Sequence, residues 1–262
     1  TDGDSNTNGG TYVAYLFAHE TDADSMIQCG GISGSNGRAE LGFEPQWVLL
    51  KQSNSTSNWI ILDVMRGWTA VNENDDEHLF ANNSSIGADY NGPSFDATGF
   101  NYGQSGEDWV YIAIRAPMMT APTNATDVFD AALRSATSAY SVGFPTDLWI
   151  GKETTRSAGS FVSDRLRGGT KYLLTPSDGS EQTDGGGIAV FDLQDSFSQG
   201  AANQPLINWN WKRAKGYMDV VAYTGTGSAT TVAHSLGVAP EMMWVKDRDA
   251  GNSWAVYYGD ST

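Results

Sequence analysis

The chain has 262 residues, 31 acidic against 15 basic side chains, and a formal net charge of −16, a balance that repels phosphate backbones and anionic bilayers. Nucleic acid as a partner and membrane insertion as a mode of action are therefore set aside, and the lone Cys29 excludes an intrachain disulfide. Nine Trp, eleven Tyr and ten Phe give the chain material for a packed core and argue against disorder.

The first ten residues, TDGDSNTNGG, are polar and lack the basic and apolar regions of a signal peptide. Asp2, Asp4 and Asn6 alternate there, and alternating oxygens can converge on a hard cation such as Ca²⁺. The terminal Glu of an EF-hand loop is missing, with Tyr12 and Val13 in its place. A solvated linker is expected, and a structural Ca²⁺ is the alternative; no other cofactor is indicated. Residues 12–18 (YVAYLFA) then read as a strand, rich in the aromatic and β-branched types that favour one.

Residues 42–51 (GFEPQWVLLK) recur as 143–152 (GFPTDLWIGK) and 237–246 (GVAPEMMWVK), with glycines 101 and 94 positions apart and lysines at the same offsets. Each lysine is followed by a polar loop and then an aromatic: Trp59, Phe161 and Trp254. Each recurrence reads as a hairpin. The lysine at a strand end is expected to discourage edge pairing. The segment 12–18 recurs as 110–116 (VYIAIRA) and 208–214 (NWNWKRA), its terminal alanines 98 apart both times. In 208–212, Trp209 and Trp211 alternate with polar residues and indicate one buried face. Residues 218–223 read as a further strand. Residues 126–139 are helix-friendly in composition but align with strand-like segments, which leaves both states open.

A period near a hundred residues is the mark of tandem homologous units. The expected division is a terminal strand of a preceding or completing repeat at 1–22, full repeats at 23–116 and 117–214, and the first part of a third at 215–262. The phase is that of a repeat cut into from both sides. A longer repetitive parent explains it, as does a terminal strand that completes the unfinished unit within one chain or between neighbours. The expected fold is all-β: tandem antiparallel β-sandwich repeats of about 98 residues, jelly-roll or concanavalin-like.

The stretches 69–102 and 176–204 are rich in Asn, Asp, Gly and Ser, differ between repeats, and read as surface loops of the kind that carry binding function. Trp68, Tyr90, Phe95 and Tyr102 fall outside the repeated strands and are the candidates to stack on a sugar ring, whereas the tryptophans of the repeated strands are expected in the core. Acidic neighbours such as Glu107 with Asp108, or Asp192 with Asp195, are too common in this composition to single out a glycosidase pair. His19, His78 and His234 have no metal-type spacing. Asp63 with Arg66 recurs as Asp164 with Arg167 and is expected to lock a turn or form an ion pair.

The motifs at 12–30 (YVAYLFAHETDADSMIQCG), 41–51 (LGFEPQWVLLK), 58–68 (NWIILDVMRGW), 217–227 (YMDVVAYTGTG) and 234–246 (HSLGVAPEMMWVK) resemble a family of repetitive tail-fibre-like and virion structural proteins of marine tailed phages. The resemblance implies a virion surface, extracellular location and a structural or adhesive duty. It also implies a homo-oligomer or filament, joined here through strand edges. It carries no shared catalytic motif. The expectation is a non-catalytic fibre module, with a lectin-like module for a host surface glycan as the alternative and a polysaccharide depolymerase behind it.

Overall fold

A computed structural model describes residues 7–22, 25–34, 37–70, 77–84, 88–89, 93–117, 119–135, 138–155, 157, 159–184, 187–200 and 205–259. The chain is all-β, and among the described residues it has twenty strands, two short 3₁₀ turns and only antiparallel pairing.

Nine strands form a first unit: β1 (Ile27–Ser33), β2 (Gly37–Glu40), β3 (Pro45–Gln52), β4 (Trp59–Asp63), β5 (Glu77–Phe80), β6 (Ala88–Asp89), β7 (Ser94–Asp96), β8 (Gly99–Tyr102) and β9 (Asp108–Arg115). Nine more follow: β10 (Phe129–Arg134), β11 (Tyr140–Ser141), β12 (Leu148–Glu153), β13 (Ser160–Asp164), β14 (Lys171–Leu174), β15 (Gln182–Thr183), β16 (Ala189–Val190), β17 (Ser196–Gln199) and β18 (Leu206–Trp211). A last hairpin joins β19 (Met242–Val245) to β20 (Ala255–Tyr258).

The two nine-strand units share one topology. The large sheets run β1-β9-β3-β4-β5-β6 and β10-β18-β12-β13-β14-β15, and the small sheets run β2-β8-β7 and β11-β17-β16. In each unit the last strand lies between the first and the third. Val48, Leu50, Ile60 and Leu62 of the first large sheet meet Phe95, Phe100 and Tyr102 of the small one in a single core. Trp149 and Leu206 meet Phe197 and Ala189 in the second. This is the sandwich arrangement, in which each sheet buries one face against the other.

The hairpin registers agree residue for residue. Val48 pairs with Leu62, Trp149 with Ser163 and Met243 with Tyr257. The glycines that open the three segments all have positive φ: Gly42 at 70°, Gly143 at 80° and Gly237 at 77°. Any side chain would be strained there. The amides of Leu41 and Gly42 both reach the carbonyl of Thr98, as those of Val142 and Gly143 reach that of Asp195.

Four sequence expectations change. The stretches 69–102 and 176–204 are not plain surface loops, because they contribute β7, β8, β16 and β17, the strands that cover the large sheets. Lys51 and Lys152 do not guard edges, since β3 and β12 are interior strands. Lys51 Nζ instead donates to the carbonyls of Gln52 and Ser55, and Lys246 Nζ to those of Asp247 and Ala250, closing the hairpin loop in the same way. The last strands correspond at an offset of 97 rather than 98, because Leu49 pairs with Ile112 while Ile150 pairs with Trp209. A slip of one residue turns every side chain to the other face. Accordingly Asn208 and Asn210 join Leu206 as the buried residues of β18, and Trp209 and Trp211 lie half-buried on its outer face. Finally, residues 12–18 and 218–223 form no strand ladder among the described residues. Strand-like composition makes a strand only beside a partner, and the partner that each corresponds to in the complete units is not alongside it. In the open segment 126–139, alignment prevails over composition: a 3₁₀ turn at Ala125–Asp127 leads into β10.

Candidate functional site

The four residues expected to stack on a sugar part ways. Trp68 is fully buried, edge-to-face on Phe95 with ring centres 4.8 Å apart and on Phe100 at 6.0 Å. Phe95 and Tyr102 are buried beside it, Tyr102 packed edge-on against Trp109 at 5.0 Å. All three are core residues, and none offers a ring face to a ligand. Their burial follows from the small sheet, whose two- to four-residue strands carry too little period-2 pattern to be read from the sequence. Tyr90 lies outside the described residues, as do Asp2, Asp4 and Asn6. Among the described residues no three His, Cys, Asp or Glu side chains gather as a metal site.

The tryptophans of the repeated strands divide as well. Trp109 and Trp149 are interior, but Trp59 and Trp244 are exposed. Cys29 sits half-buried on β1 with its Sγ 3.6 Å from the carbonyl oxygen of Ala18, and burial raises its thiol pKa.

What the fold concentrates is charge at its junctions. Arg213, just past β18, forks onto Glu44 with two bonds of 2.8 Å. Its Nε donates to Asp219 at 2.6 Å, and its backbone N–H donates to Asp147 at 2.7 Å. Asp147 also accepts from Arg165 Nε at 3.1 Å, while the Arg165 guanidinium donates to the carbonyls of Thr146 and Phe191. The first unit, the second unit and the segment after it are thus joined through Arg213. Burial opposes its charge, but Glu44 and Asp219 more than offset this and hold the guanidinium pKa well above its ordinary value. Leu166 of the second unit packs into the core of the first, and the Ala70 N–H donates to its carbonyl at 2.9 Å.

A second chain of ion pairs reaches the last hairpin. Asp164 holds Arg167 at 2.5 Å, Arg167 reaches Glu181 at 2.9 Å, and Glu181 accepts from Arg248 at 2.6 Å. Burial pushes the Glu181 carboxyl up, but the hydrogen bonds from Arg248 and Arg167 outweigh it and hold it below its usual range. The expected Asp–Arg turn lock is a buried ion pair in the second unit. In the first, the Asp63 carboxylate locks the turn by accepting the Met65 N–H at 2.8 Å, and Arg66 is exposed.

Buried polar groups also organise the second core. Trp149 Nε1 donates to Asn208 Oδ1 at 2.8 Å, and Asn208 Nδ2 donates to Gln199 Oε1 at 2.9 Å. Asn210 Nδ2 donates to the Tyr140 hydroxyl at 2.9 Å. The sequence carried a hint of this in the Asn-Trp-Asn-Trp run, but which residue type faces inward depends on register.

Two small concavities lie among the described residues. One of about 20 Å³ lies where the first unit meets the 219–222 segment. Its carboxylates are committed to arginines: Glu44 and Asp219 to Arg213, Asp96 to Arg38. A shallow one of about 150 Å³ is lined by Tyr172, Leu174, Ser177 and Gln182. Of the paired acids seen in the sequence, Glu107 accepts from Trp109 Nε1 at 3.0 Å and Asp108, at the start of β9, from Asn54 Nδ2 at 3.1 Å.

No curated protein and no solved structure matches the chain. One family model matches it in two stretches, residues 1–116 and 125–261, and the gap falls on the link between the nine-strand units. Nearly the whole chain is covered, and the protein therefore belongs to the family described as a domain of unknown function, DUF7483.

Proposed function

We propose that the chain is a non-catalytic structural or adhesive module of a phage fibre or virion surface, built by repeating one β-sandwich. The observation that supports this most directly is the shared nine-strand topology of the two units. Arg213, held between Glu44 and Asp219, and the buried Glu181, which pairs with Arg248 of the last hairpin, tie one unit to the next. Repetition of a packed unit gives reach and multiple contacts, which an attachment surface exploits through avidity. The aromatic platform that a lectin would use at Trp68, Phe95 and Tyr102 is spent on the core.

Antibody raised against this chain tests the reading by immunogold electron microscopy of intact phage particles. Label along the fibres or shell is expected. Particles that stay clean while lysate is labelled would refute it. Release of reducing sugar from host polysaccharide, lost on changing a single carboxylate, would overturn the non-catalytic part.

A further inference from the structure

Both large sheets carry apolar side chains on the face turned away from the core. In the first unit Val48 and Leu50 of β3 point inward, so Leu49 points out, opposite Ile112 of β9 on one side and Ile61 of β4 on the other. Two residues along, Val110 and Trp59 flank Lys51. In the second unit Ile150 of β12 lies opposite Trp209, with Trp211 and Ile207 on the same face of β18 and Leu133 beside Ile207 on the edge strand β10. None of these residues belongs to either core. Trp59 is 43%, Val110 49% and Leu133 63% exposed, and the others are half-buried.

An antiparallel sheet with one face on the core ordinarily alternates apolar and polar residues, because its other face meets water. Here the segments 47–50, 59–62 and 110–114 are apolar on both faces, the pattern of a sheet covered on both sides. Neither nine-strand unit covers the other: the contacts between them, Arg213 with Glu44 and Leu166 with Ala70, come from segments beyond the strand ends. Four central strands about 4.8 Å apart, each with three outward residues about 6.8 Å apart, make a patch of roughly 400 Å² per unit. The two units together offer roughly 800 Å², the share that one partner contributes to a stable interface of standard size. Acids stay off the centre of both faces. Along 110–114 with 47–51, and along 207–211 with 148–152, the outward charged side chains are Lys51 and Lys152. A surface free of acids suits a partner that itself carries −16, and a surface that recurs once per unit suits a partner with the same spacing. A second copy of this chain meets both conditions.

We propose that two copies of this chain lie side by side with the outer faces of their large sheets packed together, as sheets pack about 10 Å apart in a sandwich. The contact is isologous, the same surface on both partners, so it closes as a dimer. Burial of apolar rows that water now touches drives it, and each copy's strongly charged surfaces stay outside the contact. The inference does not rest on the virion reading.

Sedimentation equilibrium of the wild-type chain should show monomers in exchange with dimers, and tryptophan emission should shift to the blue as dimers form and Trp59, Trp209 and Trp211 leave water. Both copies are acidic, so added salt should tighten the dimer by screening their repulsion. Val110→Glu sets a carboxylate opposite Lys51, which spares the sheet itself but strands a charge against the partner. Leu133→Glu does the same at the most exposed position of the second face. Each should raise the dissociation constant more than tenfold, and the two together more than a hundredfold, with urea midpoints near that of wild type. A wild-type chain that stays monomeric at every concentration overturns the proposal. Dimers that both variants leave intact also overturn it, since the contact then lies elsewhere. So does a monomer that binds phosphatidylcholine vesicles or an insoluble polysaccharide and loses that binding in the variants. Unlabelled virions would leave the dimer standing, and a monomeric chain would leave virion labelling standing.

Discussion

Removing the Trp68 side chain separates a core residue from a ligand platform. Trp68 is fully buried, with two edge-to-face aromatic neighbours. Truncating a buried Trp to Ala costs about 3–5 kcal/mol, part of it the loss of aromatic pairs worth ~0.5–1.5 kcal/mol each. Its Nε1–H is buried and finds no acceptor among the described residues, and an orphaned donor costs roughly 1–3 kcal/mol. Trp68→Phe keeps a ring in the site and removes that donor, so packing loss and donor relief offset each other. The expected outcome is a large drop in the urea midpoint for Trp68→Ala and a change within about 1 kcal/mol for Trp68→Phe, with unchanged slopes. Trp68→Phe as costly as Trp68→Ala would refute the argument from the unpaired indole. A Trp68→Ala protein with its midpoint unmoved and its binding to host glycan abolished would refute the core assignment itself.

Glu181→Gln should destabilise by about 3–5 kcal/mol, because it leaves two guanidinium groups without their shared carboxylate. Adding Arg248→Met should cost less than the two changes separately, a coupling that melting curves of the four proteins would show. The carboxyl of Glu181 is held below its ordinary pKa of 4.5, so its contribution is complete above that value and disappears as pH falls through the lower folded one. An acid titration should show this slope in wild type and lose it in Glu181→Gln. Asn208→Leu should cost roughly 2–4 kcal/mol by orphaning the Trp149 N–H and the Gln199 carbonyl, and Trp149→Phe in the same chain should recover part of it in chemical denaturation. Burial lifts the Tyr140 hydroxyl to about 12 against 10 in the unfolded chain, with the bond from Asn210 only partly opposing it. Its contribution is therefore complete below pH 10 and is lost as pH rises toward 12, and Tyr140→Phe should flatten that part of the stability profile.

The hairpins were legible because three signals coincide in each: a glycine that needs positive φ, a short β-branched and aromatic run, and a lysine before a polar loop. Gly42, Gly143 and Gly237 show how much one backbone requirement reveals when it recurs. The small sheet was not legible. Strands such as Ser94–Asp96 and Ala189–Val190 are too short to alternate visibly, and their Gly- and Asn-rich flanks look like loops. That omission moved Trp68, Phe95 and Tyr102 from interior to surface in the sequence reading. The face of β18 failed for another reason. Alternation announces two faces without saying which one is inside, and in the second unit a hydrogen-bonded Asn takes the place beside Trp149 that hydrophobicity alone assigns to the tryptophans.

Where the chain enters and leaves each unit bears on mechanics. Ile27 lies opposite Ile114 in the first unit and Phe129 opposite Trp211 in the second, so both connections emerge at one end of adjacent strands. Tension on the connections loads those strands in zipper geometry, one rung after another, rather than shearing all rungs at once. The fork of Arg213 on Glu44 bridges this end from unit to unit and takes the load before the first rung does. A tether built this way is stiff under small forces and, once that clamp yields, lengthens by peeling, so it absorbs a sudden pull rung by rung.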